Sequence, residues 1–172
     1  VPTIKKSKGF DFFTPEFKSQ KQQQILAWEF SVKKALEYGV PLIIHDRKAL
    51  DILFSYTREL SSLRSVVFHS FAFGVREASS LLSHGINSYF SFGSGIFRGN
   101  KKNISCVAEL PADRILFETD APFQTQRGEK YSKACAIKNV YETAASIRKC
   151  SLQEIQYVTE KNFCSAYNIS RA

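Results

Sequence analysis

The chain has 172 residues, of which 44% are hydrophobic and 13% aromatic, and this composition excludes a disordered or low-complexity protein. No apolar run approaches the ~18 residues of a membrane span, and no leading series of charged, apolar and small residues indicates a signal peptide. Twenty-four Lys and Arg against 16 Asp and Glu give a net charge of +8, which favours a polyanionic partner such as nucleic acid.

The length suits one domain with a substantial core, so we treat residues 1–172 as a single, partial domain. The four cysteines show neither a C-x-x-C pair nor the spacing of a metal site, which is typical of reduced thiols in an intracellular protein. We therefore expect a cytoplasmic protein without membrane association, with the nucleus or another intracellular site as alternatives.

The apolar pattern predicts β-strands that alternate with α-helices. A strand that starts near Ile4 ends at Phe13, and the helix after it begins at Thr14-Pro15 and ends at Gly39. The further strands are predicted over Val40–His45, Ser65–His69, Ile86–Phe92 and Arg114–Glu118. The further helices are predicted over Lys48–Leu63, Val75–His84, Lys101–Leu110 and Tyr131–Lys149, with a last one opened by a capping box at Ser151–Glu154.

The order of these elements predicts an α/β fold with a parallel sheet covered by helices. The strand ends fall at His45, His69, Phe92 and Asp120, and such regular steps suit either a (β/α) barrel or an open doubly wound sheet. Polar or glycine-rich residues follow all four strands, which favours a TIM-type (β/α) barrel, because an open sheet binds ligands at one switch point.

Only five strands are visible, whereas a closed barrel has eight. We therefore expect a TIM-type barrel that is incomplete at the N-terminus, with about two strands lacking before Val1. Exposed sheet edges would favour pairing between chains, so we also expect an oligomer.

Two histidines and an aspartate at these strand ends are candidate metal ligands. His45 and His69 are the last residues of consecutive predicted buried strands, and Asp120 lies at the same level. Adjacent parallel strands are about 4.8 Å apart, so two imidazoles can reach one ion. This set indicates a Zn, Mn or Mg hydrolase site, while the structural alternative is that backbone groups satisfy the histidines and Asp120 caps a turn.

Basic residues cluster on the loops that follow the strands. Arg47 and Arg127 are nearest to the metal candidates, and we expect their guanidinium groups to bind substrate phosphates. A solvated basic rim is the alternative. The remaining basic residues of these loops are Lys48, Arg76, Arg98, Lys101, Lys102 and Lys130.

Four segments resemble the TatD-like metal-dependent deoxyribonucleases, in the order found in that family. Leu42–Ala49 resembles the family's "IIHSRKA" strand end, and Val67–Phe71 resembles its "FHCF" segment. Asp113–Phe123 is close to the signature "DRLLLETDAPY", and Lys161–Phe163 matches the "ENF" of the final helix.

The resemblance implies a TIM-type barrel and metal-dependent hydrolysis of DNA phosphodiester bonds, often as an exonuclease. It implies that His45 and His69 bind one metal, and that Asp120 binds another and helps to activate the attacking water. Mg, Mn or Zn would be the cofactor. We expect Glu118 to support the site without binding metal.

Two departures from the family weaken this assignment. The family's first strand supplies an H-x-H pair, and this chain contains no H-x-H. The family's "GEIGLD" strand supplies a bridging Glu, and Ser7 stands at that position in Lys6–Asp11. A degenerate member that binds nucleic acid or a protein partner without cutting is therefore an alternative. A related barrel hydrolase acting on a small amide or lactone is a further one, although the basic loops disfavour it.

Overall fold

The computed structural model describes residues 8–125, 128 and 130–170, in which five strands alternate with helices. The strands are β1 (Lys8–Asp11), β2 (Leu42–Arg47), β3 (Val66–His69), β4 (Ser88–Phe92) and β5 (Ile115–Phe117). The helices are α1 (Pro15–Ser19), α2 (Lys21–Tyr38), α3 (Leu50–Phe54), α4 (Thr57–Ser61), α5 (Val75–Ser83), α6 (Lys101–Glu109), α7 (Ile137–Arg148) and α8 (Leu152–Tyr167), with 3₁₀ turns at Ala112–Arg114 and Ala134–Ala136.

The five strands form one parallel sheet in the order β1-β2-β3-β4-β5. Spatial order equal to chain order is the winding of a (β/α) barrel, whereas a doubly wound sheet reverses its order at a switch point. The predicted α/β class is therefore confirmed, and the order of the described strands favours the barrel over the open sheet.

The two faces of the sheet have different surroundings. One face carries the main core, in which Phe10, Ile44, Phe68, Phe90 and Ile115 are buried beneath the helices. The other face carries a smaller cluster, comprising Val67, Tyr89 and Leu116 with Ile43, Ala166 and Tyr167.

The period of two along a strand places polar residues above this smaller cluster. His45, His69 and Glu118 each lie two positions after one of its members, Ile43, Val67 and Leu116. The candidate site therefore extends from the inner face of the sheet at its carboxyl edge.

Several element boundaries were predicted correctly. Thr14 caps α1 by accepting a hydrogen bond from the Phe17 amide, and Gly39 ends α2 in the left-handed conformation with φ of 59°. The capping box at Ser151 and Glu154 opens α8 as predicted. All four cysteines are free.

Other boundaries were wrong. The helix predicted from Thr14-Pro15 to Gly39 is interrupted at Gln20, and the helix predicted over Lys48–Leu63 is divided into α3 and α4. The second break falls at Ser55 and Tyr56, which are modest helix formers, and the Tyr56 ring packs against Trp28 at 5.7 Å.

Two further boundaries differ near the ends of elements. The helix predicted over Tyr131–Lys149 begins only at Ile137, after a 3₁₀ turn. Strand β2 continues to Arg47, so His45 is not its last residue, whereas His69 is the last residue of β3 as predicted. No helix in the part of the chain that the structure describes is long and apolar enough to cross a membrane.

Candidate active site

An open cleft of about 920 Å³ lies at the carboxyl edge of the sheet. Its lining brings together His45, His69 and Asp120, the three predicted metal ligands, and also Arg47. Arg127, the second predicted phosphate-binding residue, lies outside the described residues, as does Ser7. The three predicted metal ligands therefore line one cleft, and the role of each residue in it stays a prediction.

His69 is held between two carboxylates. Its Nδ1 lies 2.9 Å from Glu118 Oε2, and its Nε2 lies 3.3 Å from Asp120 Oδ1. Burial disfavours the charged imidazolium, but the hydrogen bond to Glu118 and the charges of Glu118 and Asp120 outweigh burial and raise the pKa of His69. Burial alone would raise the pKa of Glu118, yet the hydrogen bond and charge of His69 lower it.

His45 forms a looser pair with Asp11. His45 Nε2 lies 3.9 Å from Asp11 Oδ2, and the same oxygen lies 3.3 Å from Arg47 Nη1. Burial and the charges of His69 and Arg47 lower the pKa of His45, and together they outweigh the carboxylates of Asp11 and Asp120, which raise it. A neutral imidazole at neutral pH keeps a lone pair for coordination, so His45 is suited to bind a cation.

Close approach of β1 to β2 brings Asp11 into the cleft. Gly9 pairs with His45 in the sheet register, and a Cβ at position 9 would overlap the carbonyl oxygen of His45. Only glycine therefore fits there. The sequence analysis named Asp11 only as part of a motif, although Asp11 is the last residue of β1 as His69 is of β3.

Ser70 and Gln124 complete a hydrogen-bond network that sequence reasoning missed. The Ser70 hydroxyl donates to Glu118 Oε1 at 2.6 Å, and Gln124 Nε2 donates to Ser70 Oγ at 2.6 Å and to Asp120 Oδ2 at 3.3 Å. Ser70 directly follows His69, and Gln124 directly follows the "ETDAPF" block. This adjacency to predicted site residues is what the sequence offered to indicate their part in the network.

Three residues of this network adopt positive φ angles. Ser70, Asp120 and Gln124 have φ of 49°, 54° and 55°, a region that non-glycine residues visit rarely. Such conformations persist where the surrounding contacts hold them, and they cluster at functional sites. Here they turn the chain sharply off β3 and β5, so that three side chains meet above the sheet.

Asp46 lies next to His45 in sequence but faces the opposite side of the sheet. Its Oδ1 accepts a hydrogen bond from the Ala49 amide at 3.0 Å, while Oδ2 is buried without a partner among the described residues. Burial raises the pKa of Asp46 to about 7. Asp46 therefore helps to turn the chain into α3 and does not line the cleft.

Comparison with known proteins identifies the family. The family model described as TatD related DNase matches residues 8–168. The chain belongs to the TatD family. The TatD homologue YjjV from Escherichia coli superimposes with a TM-score of 0.83 at 24% identity, covering 96% of this chain and 63% of that one. A TatD family hydrolase from Entamoeba histolytica gives a TM-score of 0.80 at 18% identity, with the same coverages. The predicted TIM-type barrel hydrolase fold is thereby confirmed.

Curated relatives are longer than this TatD chain. It is 30% identical over 158 residues to the uncharacterized metal-dependent hydrolase YabD of Bacillus subtilis, covering 89% of this chain and 61% of the relative. It is 26% identical over 151 residues to the 3′-5′ ssDNA/RNA exonuclease TatD of Erwinia amylovora, covering 84% and 58%. The chain thus spans about three fifths of the length of the curated relatives it matches.

The donor atoms of this TatD chain fit a divalent cation in their chemistry. Imidazole nitrogens are common ligands of Zn, and carboxylate oxygens are common ligands of Mg and Mn. Metal-binding histidines usually have their second ring nitrogen hydrogen-bonded to a carboxylate, which orients the ring. Glu118 contacts His69 Nδ1 in this way. Across residues 8–125, 128 and 130–170, however, no three His, Cys, Asp or Glu side chains form a group that could hold a metal ion. The donors are arranged as two pairs, His69 with Asp120 and His45 with Asp11.

Proposed function

We propose that this chain carries part of a metal-dependent nuclease site that hydrolyses phosphodiester bonds of single-stranded DNA from an end. The observation that carries the proposal is His69, oriented by Glu118 and directed at Asp120 in an open cleft that Arg47 also lines. The name of the Erwinia amylovora relative, a 3′-5′ ssDNA/RNA exonuclease, supports this substrate class.

The proposal requires His45, His69 and Asp120, which the structure leaves in two separate donor pairs, to converge on a divalent cation, Mg, Mn or Zn. Such a cation polarises a phosphoryl oxygen and lowers the pKa of a water molecule when it is bound. Asp120 is the proposed catalytic residue: its carboxylate takes a proton from a water whose oxygen bonds to phosphorus, the bond from phosphorus to the leaving oxygen breaks, and the leaving oxygen takes up a proton from the solvent in the open cleft. Gln124 supports this role, because its amide donates to Asp120 Oδ2 and fixes the direction of the other oxygen.

Arginine and phenylalanine side chains give the cleft a rim suited to nucleic acid. Phe17 and Phe123 line the cleft and are partly exposed, and the Arg47 guanidinium stacks over the ring of Phe13 at 4.2 Å. Exposed aromatic rings beside cations bind single-stranded nucleic acid through base stacking and phosphate contacts. We propose that Arg47, and Arg127 from the following loop, contact substrate phosphates.

Replacing Phe123 with Ala should raise the KM for a single-stranded oligonucleotide roughly 5- to 100-fold, because one base loses its stacking partner. Phe30→Ala is the matched control, since Phe30 is 63% exposed against 68% for Phe123 and lies on α2 away from the cleft lining. Steady-state kinetics on both variants measures the effect. Equal KM values for the two variants would contradict a stacking role.

The proposed function is tested by incubating the chain with a 5′-labelled single-stranded DNA 20-mer in Mg²⁺ or Mn²⁺. We expect stepwise shortening from the 3′ end, loss of cleavage in EDTA, and recovery when the metal is restored. Binding of the oligonucleotide without shortening in either metal would refute the nuclease proposal.

The second candidate function is a TatD-like chain that binds nucleic acid without cutting it. It is favoured by the arrangement of the described donors as two pairs rather than one converged group. Binding without shortening is the result that this candidate expects, so the same assay separates the two.

A further inference from the structure

A second pocket, of about 420 Å³, opens beside the cleft under the turn that joins β4 to α6. The two cavities share Ser70, Ala72 and Gln124 in their linings. A nucleotide at the end of a DNA strand in the cleft could therefore reach the pocket directly.

The lining of this pocket suits an anionic, hydrogen-bonding ligand. Its described lining residues carry no carboxylate, in contrast to the cleft, which holds Asp11 and Asp120. Hydroxyl and amide side chains line the pocket instead, from Ser91, Ser94, Asn100 and Asn103.

Two glycines keep the pocket open. A Cβ at Gly95 would overlap the amide oxygen of Asn103, and one at Gly93 would lie 2.9 Å from Gln124 Oε1. Asn103 is itself fixed, because its Nδ2 donates to the Phe71 carbonyl at 2.7 Å. The Asn103 amide is therefore held in place before any ligand arrives.

Arg98 supplies the positive charge of the pocket. Its Nη1 lies 3.3 Å from the Thr125 carbonyl oxygen and 3.5 Å from Ser94 Oγ, which hold the guanidinium against the pocket lining. Lys101 and Lys102, both exposed, follow at the start of α6. A guanidinium fork held in this way is suited to bind a phosphate.

We propose that this pocket binds the nucleoside 5′-monophosphate released from the end of the substrate strand, with Arg98 on its phosphate and the amides and hydroxyls on the sugar and base. The inference rests on the proposed nuclease function and deepens it, since it names a mononucleotide subsite beside the cleft. The cavity volume lies in the lower part of the range of roughly 300–1,000 Å³ that is typical of small-ligand sites.

Titration with thymidine 5′-monophosphate in EDTA tests the subsite without metal or turnover. Arg98→Ala should weaken binding of this nucleotide about tenfold or more, because it removes charge-assisted hydrogen bonds to the phosphate. Arg58→Ala, which removes an exposed arginine from α4, should leave the affinity unchanged. Thymidine without phosphate should bind both variants and the parent chain equally weakly.

Amide NMR shifts on the parent chain locate the bound nucleotide independently. We expect the largest changes at Gly93, Ser94 and Gly95, with smaller ones at Asp11. Absence of nucleotide binding, equal weakening by the two arginine variants, or shifts concentrated at Asp11 would each overturn the subsite. Because the titration needs no cleavage, failure of the nuclease assay alone leaves the subsite supported by nucleotide binding.

Discussion

The His69→Ala variant should release nucleotides roughly 100- to 1,000-fold more slowly than the parent chain in Mn²⁺, because it removes a proposed metal ligand and with it the charge that the cation would supply at the reacting phosphate. His69 is the side chain that contacts both Glu118 and Asp120, at 2.9 and 3.3 Å. Its loss also removes the nitrogen donor next to Asp120, so Mn²⁺ affinity should fall in the same variant. Single-turnover cleavage and calorimetric Mn²⁺ titration measure the two effects.

His84→Ala is the matched control for this variant. His84 is exposed at the end of α5, where its Nδ1 lies 2.7 Å from the Ser80 carbonyl oxygen, and it does not line the cleft. Cleavage and Mn²⁺ affinity should both stay at the parent values. A parent-like rate in His69→Ala, or an equal loss in His84→Ala, would show that the His69–Asp120 pair is not the centre of the reaction.

Glu118→Gln separates orientation of the imidazole from coordination by it. The neutral amide keeps the size of the side chain but removes the charge that holds His69 Nδ1. We expect an intermediate loss of metal affinity and activity, roughly 10- to 100-fold, as for other residues that orient a metal-binding histidine. A loss as large as that of His69→Ala would assign Glu118 a more direct part than the one predicted.

Strand-end reasoning succeeded because parallel strands impose a simple geometry. Side chains alternate along a strand, and the carboxyl ends of neighbouring parallel strands share one edge. The prediction of His45 and His69 at the ends of consecutive buried strands was therefore enough to predict that they share a cleft. The structure pairs the two residues directly in the register of β2 and β3, although β2 continues to Arg47. Asp120 joins them because its own strand is two places further along the same edge.

The same reasoning missed Ser70 and Gln124 because no period marks them. Both lie in turns, and their contacts depend on positive φ angles that neither residue type favours on its own. The burial of Asp46 was not predicted either. The alternation of side chains along β2 places Asp46 on the buried face only once it is known which face of the strand packs against the core. Contacts set by tertiary packing cannot be obtained from local patterns alone.

The place of Asp11 in the cleft depends on the pairing of β1 with β2, which a single methyl group should disrupt. The Gly9→Ala variant places its Cβ against the His45 carbonyl oxygen, so β1 has to move away from its partner strand. We expect the free energy of unfolding to fall by about 3 kcal/mol or more, the range of a severe backbone conflict, as measured by urea denaturation. Oligonucleotide cleavage should fall with it, because Asp11 and the Gln24 side chain that bonds the Asp11 amide would leave the cleft wall together.

Gly85→Ala distinguishes this steric conflict from the ordinary cost of replacing a glycine. Gly85 also has a positive φ, of 74°, but a Cβ there meets no atom within 4 Å. Its replacement should cost only about 1 kcal/mol, the backbone strain of an L-residue in the left-handed region. Equal destabilisation by the two variants would mean that β1 accommodates the added methyl group at little cost. The position of Asp11 beside His45 would then depend on Arg47, which contacts the Asp11 carboxylate at 3.3 Å, and not on the strand register.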